Sequence, residues 1–549
     1  MCYSKVLLLI GFVTVAVIAG VDTAVGQNSD SSEKPNIVLI LFDDFGLGDM
    51  QRFNPDCKVP TPNLDRLTET GMIFTDAHTT SSLCAPSRYS VMTGNYPFRG
   101  RVEKGVWLPF EEPMIRPEQQ TIGNILQDAG YNTAMFGKLN NGGRIRMNDG
   151  SLYEYTNEEA LENDWHNFDF GCKIEGGPTD IGFDYSYVLL EGIQAHPYAY
   201  FENDKLEGNP GNLQWLLSSS SGSITHTGLR MPDYDSREAG PRLMQKSLDF
   251  IDRHISSNRQ TQKNQPFFIY YAAQAVHGPY TPPDTFFGKS VKGVTGVNDR
   301  LDMCYEADLA VGVLMNKLEE EGLLDNTLFI VTSDNGVPWV RTGEQSTYKE
   351  EVRAGHGHSQ GVIDGVPLRG FKGQIWEGGH RVLFIARWGD GTPSGSRIRP
   401  GSESGQLISL SDLAATFLAV TGQSMPANDF RDSYNLLSIL LGSQSESVPV
   451  REFMYQQSGL ENLAGIGNAR FRAVRWNDWK LIFHDGIRQY DDRFYYYWEH
   501  RKFFNLLADV GERRNLLFEP TQATRIQRMQ QMLSDQLERP LEGRTAPVF

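Results

Sequence analysis

The sequence has few cysteines and no excess of basic residues, and each shortage excludes a class of protein. Five cysteines in 549 residues are too few for a disulfide-stabilised scaffold. One disulfide among Cys57, Cys172 and Cys304 is compatible with the sequence, but their spacing does not assign a pair. The formal net charge of −17 excludes a nonspecific nucleic-acid-binding surface. An anionic ligand must therefore be bound by a local group of cations.

Beyond its first residues the chain has no apolar run long enough to span a bilayer. The run Val6–Val21 follows Lys5 and precedes small residues near Ala24 and Gly26, a pattern typical of a secretory signal peptide. Its 16 residues are fewer than the roughly 20 that a membrane-spanning helix needs. We therefore predict a signal peptide over residues 1–26, a secreted or periplasmic protein, and no stable membrane insertion.

Apolar runs alternate with helical patterns from residue 35 to about residue 425, after a polar leader at 27–34. The predicted strands are Asn36–Phe42, Asn132–Phe136, Pro266–Ala272, Thr327–Thr332 and Val382–Trp388. The predicted helices are Thr61–Thr70, Thr121–Ala129, Arg300–Glu321 and Leu410–Val420. This alternation predicts an α/β catalytic domain over 35–425, with helices flanking a large, mostly parallel sheet.

Two regions depart from this pattern. Residues 139–240 are rich in Gly, Asn and aromatic residues, and we interpret them as long insertions over the ligand-binding end of the sheet. Residues 426–549 are predicted to form a smaller α+β subdomain. Its predicted elements are short antiparallel strands at Phe471–Val474, Lys480–Phe483 and Phe494–Trp498, and an amphipathic helix at Thr521–Leu537.

Acidic and amide residues follow two of the buried strands. Asp43 and Asp44 come directly after the first strand, and Asp334 and Asn335 follow the strand TLFIVT. Either pair alone is weak support for a metal site, because Asp and Asn also cap helices and form turns. Together they offer three carboxylates and one amide oxygen, which favour a hard cation, Ca²⁺ first and Mg²⁺ second.

The segment Cys84-Ala-Pro-Ser-Arg88, with Thr93-Gly94 beyond it, carries the most specific motif. It resembles the signature at which sulfatase maturation enzymes oxidise a cysteine to formylglycine. The chemistry gives a reason for this modification. A serine or thiolate that attacked sulfur would leave a covalent sulfate needing a second displacement. An aldehyde hydrate has two hydroxyls, so one attacks and the other expels sulfate as the aldehyde re-forms.

Further segments extend this resemblance over residues 35–425. They are Pro35–Asp44, Thr61–Leu67, Gly130–Ala134, Gly137-Lys138, Ser333–Gly336, Leu368–Lys372 and Glu377–Arg381. In this order they are similar to the type I, arylsulfatase-like sulfatases of the alkaline phosphatase superfamily. The resemblance implies that fold, a divalent cation, hydrolysis of sulfate esters, and a formylglycine-generating maturation enzyme as a partner.

The resemblance also assigns site residues. Cation ligands would be Asp43, Asp44, Asp334, Asn335 and the modified Cys84. Arg88 would stabilise the hydrated aldehyde, Lys138 would bridge the nucleophile and the sulfate, and Lys372 would bind a sulfate oxygen. His277 would protonate the leaving alcohol, a task that suits a side chain whose pKa lies near neutral pH.

One position departs from the family pattern. Most members have a histidine two residues after the Gly-Lys pair, where this chain has Asn140. Asn140 can hydrogen-bond the hydrate but cannot act as a base. Three histidines on long loops could take that role or contact the substrate: His196, His356 and His358.

The substrate class follows less directly. Five aromatic residues in and near the insertions could stack on sugar rings, which with secretion favours a sulfated carbohydrate: Trp165, Tyr185, Tyr187, Tyr198 and Tyr200. Two alternatives remain. A phosphate or phosphonate ester hydrolase would use the same cation and nucleophile, and rates on matched esters distinguish it. A non-catalytic carbohydrate-binding relative would leave the Cys84 thiol unmodified.

Overall fold

The computed structural model describes residues 34–101, 106–216, 227–338, 359–463, 467–490 and 493–537. The predicted signal peptide, nearly all of the predicted leader, and His356 and His358 lie outside these ranges. No described helix combines the length and apolar character needed to cross a membrane.

The described strands number 22. In chain order they are β1 Asn36–Phe42, β2 Met72–Phe74, β3 Ala77–His78, β4 Asn132–Lys138, β5 Tyr185–Leu189, β6 Phe201–Glu202, β7 Lys205–Leu206, β8 Gln214–Leu216, β9 Gly228–Arg230, β10 Phe267–Ala272, β11 Thr285–Phe286, β12 Lys289–Ser290, β13 Thr327–Ser333, β14 Val362–Ile363, β15 Val366–Pro367, β16 Phe384–Arg387, β17 Ser402–Ser404, β18 Ile408–Ser409, β19 Phe453–Leu463, β20 Gly467–Trp476, β21 Trp479–Tyr490 and β22 Arg493–Asn505.

The described helices vary widely in length. They are α1 Pro62–Glu69, α2 Cys84–Thr93, α3 Ile122–Asp128, α4 Glu158–Asp164, α5 Ala239–Thr261, α6 Asp299–Glu320, α7 Glu377–His380, α8 Leu413–Thr421, α9 Leu437–Leu440 and α10 Ala523–Leu537. All eight strands and five helices predicted from the sequence correspond to elements of the structure, and several of their boundaries differ by some residues.

Ten of the described strands form one large sheet in the order β17-β2-β16-β13-β1-β10-β4-β5-β6-β7. The central strands β13, β1, β10, β4 and β5 are parallel neighbours. Strand β16 pairs antiparallel with both β13 and β2. The predicted mostly parallel sheet of an α/β fold is thus confirmed.

Strand β1 is buried on both faces, which explains its continuous apolar sequence. Ile37, Leu39 and Leu41 belong to one hydrophobic cluster, together with residues of α2, α3 and α8. The alternate residues of β1 belong to a second cluster, together with residues of α1, α5 and α6. Helices therefore cover both faces of the sheet. Functional side chains are accessible to a ligand only where the strands end.

The interpretation of residues 139–240 as insertions was partly wrong. Strand β5 within this region pairs in parallel with β4, and β6 and β7 extend the same sheet. Tyr187, Tyr198 and Tyr200 are buried, so they are core residues and do not form a platform for sugar rings. Strand β5 was missed because its five residues lie within a long region rich in Gly and Asn, although Tyr and Val are common in strands.

Strands β19 to β22 form a four-stranded antiparallel sheet. One of its faces packs on α10 through Val474, Leu481, Ile526 and Leu533. The three predicted short strands are thus parts of the longer strands β20, β21 and β22, and β19 was not predicted. The proposed domain boundary at residue 425 stays a prediction.

A buried polar cluster lies between this second sheet and α7. The charged residues of the Glu377-Gly-Gly-His-Arg381 motif belong to this cluster. Lys480 Nζ of β21 lies 3.0 Å from Glu377 Oε1 and 2.8 Å from Glu512 Oε1. His380 Nδ1 lies 3.0 Å from His78 Nδ1. His78, Glu377 and His380 could hold a metal by proximity, but here the charges of Lys480 and nearby arginines already balance the acids.

The structure shows no disulfide among the described cysteines. Cys57, Cys84, Cys172 and Cys304 are all free thiols, and Cys57, Cys84 and Cys304 are buried. The pair allowed by the sequence is therefore not formed, and Cys57 and Cys304 act as small apolar core residues.

Candidate active site

The two acidic segments meet because β1 and β13 are parallel neighbours. Phe42 and Ser333 are opposite each other at the carboxyl ends of these strands, so the residues that follow lie side by side. The Asp44 backbone N–H donates to Asp334 Oδ1 at 3.2 Å, and Asn335 Nδ2 donates to Asp44 Oδ1 at 2.7 Å. The structure thus brings together the four side chains predicted to hold a cation, and all four are buried.

Two oxygens of this group lack a hydrogen-bond partner, although Arg88 Nη2 lies 3.8 Å from one of them, Asp43 Oδ1. Among the described residues, neither Asp43 Oδ1 nor Asn335 Oδ1 accepts a hydrogen bond, although both atoms are buried. Buried acceptors normally have a partner, and leaving one unpaired costs about 1–3 kcal/mol. Asp43, Asp44 and His277 also offer ligand atoms within 4.8 Å of one another. The donor set of carboxylate and amide oxygens fits a hard divalent cation.

Three cations surround the acidic group, the buried Lys138 and Arg88 and the partly exposed Lys372, and each pairs most closely with a different carboxylate. Lys138 Nζ lies 2.8 Å from Asp43 Oδ2, and Lys372 Nζ lies 2.7 Å from Asp44 Oδ1. Arg88 Nη2 donates to Asp334 Oδ2 at 2.7 Å. Sequence analysis named all three cations, and the structure places them around one site.

Charge pairing sets the ionisation of these groups. Burial by itself raises the pKa of the Asp43 carboxyl, but Lys138, His277 and Arg88 bring it below its usual value. Burial and the neighbouring Asp43 raise the pKa of Asp334 to about 7, although Arg88 opposes them. The carboxylates are therefore crowded, and a bound cation would relieve their mutual repulsion.

Cys84 is the first residue of α2, and its side chain is buried. Burial raises the pKa of its thiol, while Lys138 and Lys372 act to lower it. The preceding loop is fixed by two hydrogen bonds to β19, from Ser82 N to Gln457 O and from Gln457 N to Thr80 O, both 3.0 Å. The second sheet thereby supports the segment that presents Cys84.

His277 lies at the same edge of the sheet, in the loop after β10. Its Nε2 is 3.6 Å from Asp44 Oδ2, and its Nδ1 is 2.8 Å from the Gly278 carbonyl oxygen. Burial and the charge of Lys372 lower the pKa of the imidazole, against the effect of Asp44. The side chain is partly exposed, which gives Nε2 access to a ligand.

Two predicted residues have other partners. His196 Nε2 lies 2.9 Å from Glu158 Oε2, and its ring packs against Trp215. Asn140 Nδ2 donates to Glu191 Oε2 at 2.6 Å, at the end of β4. His196 is thus paired with a surface acid rather than with one of the predicted catalytic side chains.

Sequence analysis missed Arg300, which supports the acidic segment from α6. Its Nη1 and Nη2 donate to the two oxygens of Asp49 at 2.9 and 2.6 Å, and Nη2 also donates to the Asp44 carbonyl at 3.1 Å. Asp44 has a φ of 63°, a conformation that costs about 1–3 kcal/mol for a residue other than glycine. Arg300 and Asp49 hold this strained backbone. Their role becomes visible only in the tertiary structure, where α6 lies next to the end of β1.

Comparison with known proteins agrees with this geometry. The family model described as Sulfatase matches residues 35–423. The chain belongs to the sulfatase family. It is therefore an enzyme, a type I sulfatase with the fold of the alkaline phosphatase superfamily, as the resemblance implied.

Among curated relatives, N-acetylgalactosamine-6-O-sulfatase of Bacteroides thetaiotaomicron is 29% identical over 532 residues, which cover 91% of this chain and 93% of that protein. Human arylsulfatase A is 29% identical and covers 82% of this chain, with 75% of its own length matched. A solved sulfatase structure from a study of glycosaminoglycan metabolism by Bacteroides thetaiotaomicron has a TM-score of 0.68 and 25% identity, and the match covers 92% of this chain and all of that one.

Proposed function

We propose that this sulfatase hydrolyses sulfate monoesters of a sulfated carbohydrate, using a formylglycine hydrate derived from Cys84 and a bound divalent cation, Ca²⁺ first. The observation that carries the proposal is the arrangement of Lys138, Lys372 and Arg88 around the acidic group beside Cys84. A secreted or periplasmic location, after removal of residues 1–26, is part of the same proposal.

The nucleophile would form by a two-electron oxidation of the Cys84 side chain. A maturation enzyme supplies the electron acceptor, a water oxygen replaces the sulfur, which leaves as hydrogen sulfide, and the resulting aldehyde adds a second water to give two hydroxyls. The N-terminal end of α2 suits this group because the helix dipole favours developing negative charge there. Lys138 and Lys372 add positive charge at the same place.

The cation would be held by Asp43, Asp44, Asp334, Asn335 and the modified Cys84. When bound, it would lower the pKa of the attacking hydroxyl and offset the charge of the sulfate. The unpartnered oxygens Asp43 Oδ1 and Asn335 Oδ1 support this assignment.

The remaining side chains act on the sulfate ester itself. Lys138 and Lys372 bind sulfate oxygens and hold the sulfur in line with the attacking hydroxyl. Arg88 stays paired with Asp334 and steadies the negative charge that develops at the hydrate. His277 donates a proton from its exposed edge to the leaving alcohol oxygen.

The carbohydrate part of the proposal rests on the relatives, since the aromatic residues named from sequence are largely core. The relative named N-acetylgalactosamine-6-O-sulfatase matches almost end to end. The first substrates to compare are therefore sulfated amino sugars, with a small aryl sulfate as a surrogate.

The test compares the wild-type protein and Cys84→Ala on matched sulfate and phosphate esters, with release of inorganic sulfate or phosphate as the readout. We expect a large preference for the sulfate ester and no turnover by Cys84→Ala. A large preference for the phosphate ester would instead establish a phosphate or phosphonate hydrolase. Unchanged activity of Cys84→Ala would refute the mechanism.

A further inference from the structure

The pair Asn140–Glu191 lies where β4 and β5 end. These strands are parallel neighbours up to Lys138 and Leu189, and the pairing continues as Asn140 N–H donates to Leu190 O at 2.7 Å. This register places the two side chains together, so that Asn140 Nδ2 donates to Glu191 Oε2 at 2.6 Å. Both residues are buried, with 2% of their surface exposed.

This pair borders the proposed catalytic group. Gly192, the next residue after Glu191, packs so closely on Lys138 that an added Cβ would lie 3.0 Å from Lys138 Cδ. A small cavity is lined by Asn140 together with Arg88, one turn along α2 from Cys84. The pair therefore adjoins the side of the site formed by Lys138 and Arg88.

Each member of the pair has one oxygen that is not in use. Among the described residues, Asn140 Oδ1 and Glu191 Oε1 are buried and accept no hydrogen bond. A buried carboxyl with an unused oxygen is costly, and such groups gather at functional sites. Burial raises the pKa of Glu191 to about 8, with Glu111 acting in the same direction and Lys138, the Asn140 bond and Arg88 opposing it. A carboxyl in this range can both accept and return a proton near neutral pH.

We propose that Glu191 is the catalytic base for release of sulfate, and that Asn140 positions it. This inference rests on the proposed function. Glu191 would take the role of the histidine that most family members have at the position of Asn140. The Nδ2–H of Asn140 holds Glu191 Oε2, which leaves Oε1 as the proton acceptor.

The step balances as follows. After the alcohol has left, the Cys84-derived carbon carries one hydroxyl and one sulfate. The carboxylate of Glu191 takes the hydroxyl proton, the O–H electron pair forms the C=O bond, and the C–O bond to sulfate breaks. The products are the aldehyde, the sulfate dianion and neutral Glu191, which returns its proton to solvent when water hydrates the aldehyde again.

The experiment measures alcohol and sulfate separately, before and during steady state, with 4-nitrophenyl sulfate. Glu191→Gln keeps the shape and the acceptor for Asn140 but cannot take a proton. We expect it to release one alcohol per modified Cys84 in a burst, while sulfate release slows about 100-fold or more. Intact mass spectrometry should then find one sulfate retained on the protein.

Glu306→Gln is the matched control. Glu306 is also buried, accepts a 2.9 Å hydrogen bond from Gln274 Nε2, and has a pKa raised by burial to about 8. It should release alcohol and sulfate at equal rates. The double variant Asn140→His/Glu191→Gln should regain sulfate release, because the histidine supplies a base at position 140.

Equal, wild-type rates of alcohol and sulfate release by Glu191→Gln would overturn the inference. If that variant does not fold, the wild-type protein provides the test. In single turnovers with excess enzyme, its sulfate release should lag further behind alcohol release as the pH falls through about 8, and a lag that does not change from roughly pH 6 to 9 would overturn the inference. A wild-type protein with formylglycine that released neither product from any sulfate ester would instead refute the proposed function.

Discussion

Arg88 directs two nitrogens at one oxygen of Asp334, with Nε at 2.9 Å and Nη2 at 2.7 Å from Oδ2. Both side chains are buried, with 2% and 0% of their surface exposed. The strand end that carries Asp334 and the helix that begins at Cys84 are thus joined by a single ion pair. Loss of this pair should move the proposed nucleophile, Cys84, relative to the proposed cation ligands.

The first prediction therefore concerns Arg88→Lys, which keeps the charge but cannot make both bonds. We expect kcat/KM to fall at least about 100-fold and the melting temperature to fall as well, because the buried Asp334 carboxylate loses one of its two charged hydrogen bonds. Enzyme kinetics and thermal unfolding measure the two effects. Arg514→Lys is the control, since Arg514 pairs with Glu519 at the surface and should change neither quantity. Wild-type kinetics in Arg88→Lys would show that the pair does not hold the nucleophile.

The second prediction concerns removal of the cation. Because Asp43 Oδ1 and Asn335 Oδ1 lack partners, the chelated protein should melt at a lower temperature and lose activity. Ca²⁺ at about 100 times its dissociation constant should stabilise the fold by about 2.7 kcal/mol. Thermal unfolding with increasing Ca²⁺ measures this effect.

Asn335→Ala is the variant that tests the cation site itself. It removes one proposed ligand, so the Ca²⁺ concentration needed for half of the stabilisation should rise. The control Asn326→Ala changes an asparagine outside the site, and it should respond to Ca²⁺ like the wild type. A melting temperature that is independent of Ca²⁺ and chelator in the wild type would contradict a cation site.

The third prediction uses the raised pKa of Glu306, about 8 in the fold against 4.5 for an ordinary glutamate. The fold favours the neutral carboxyl, so this stabilising contribution is complete below about pH 4.5 and is lost as the pH rises through about 8. Glu306→Gln stays neutral. Its stability relative to wild type should therefore increase between these pH values, by a few kcal/mol in total.

Thermal unfolding of the two proteins across this pH range checks the prediction. The exposed Glu320 provides the control, because Glu320→Gln should show a difference from wild type that varies little with pH. If the stability difference between Glu306→Gln and wild type also varied little with pH, Glu306 would not be held neutral by the fold.

Sequence patterns predicted the central sheet and the acidic group well, for a physical reason. Runs such as Asn36–Phe42 and Thr327–Thr332 are short, apolar and rich in β-branched residues, which is typical of strands buried on both faces. Parallel strands then bring Asp43 and Asp334 to the same edge of the sheet, which the register of β1 with β13 confirms. The order of motifs supplied the remaining residues of the site by resemblance.

Contacts between distant segments could not be predicted in this way. Glu191 lies 51 residues after Asn140, and the strand β5 that precedes it is short and surrounded by loop-like sequence, so no local pattern pairs the two residues. Arg300 lies inside a helix where an arginine normally faces solvent, and its bonds to Asp49 span 251 residues. Both depend on the tertiary fold rather than on a sequence pattern.

The central claim is that Cys84 works as formylglycine, and peptide mass spectrometry across Cys84 tests it most directly. In protein purified from a host with a maturation enzyme, we predict a peptide lighter by about 18 Da, in a fraction that rises and falls with specific activity between preparations. The Cys84→Ser protein from the same host is the control for recognition of the site. Full activity in a preparation whose Cys84 peptide has only the unmodified thiol mass would contradict the account.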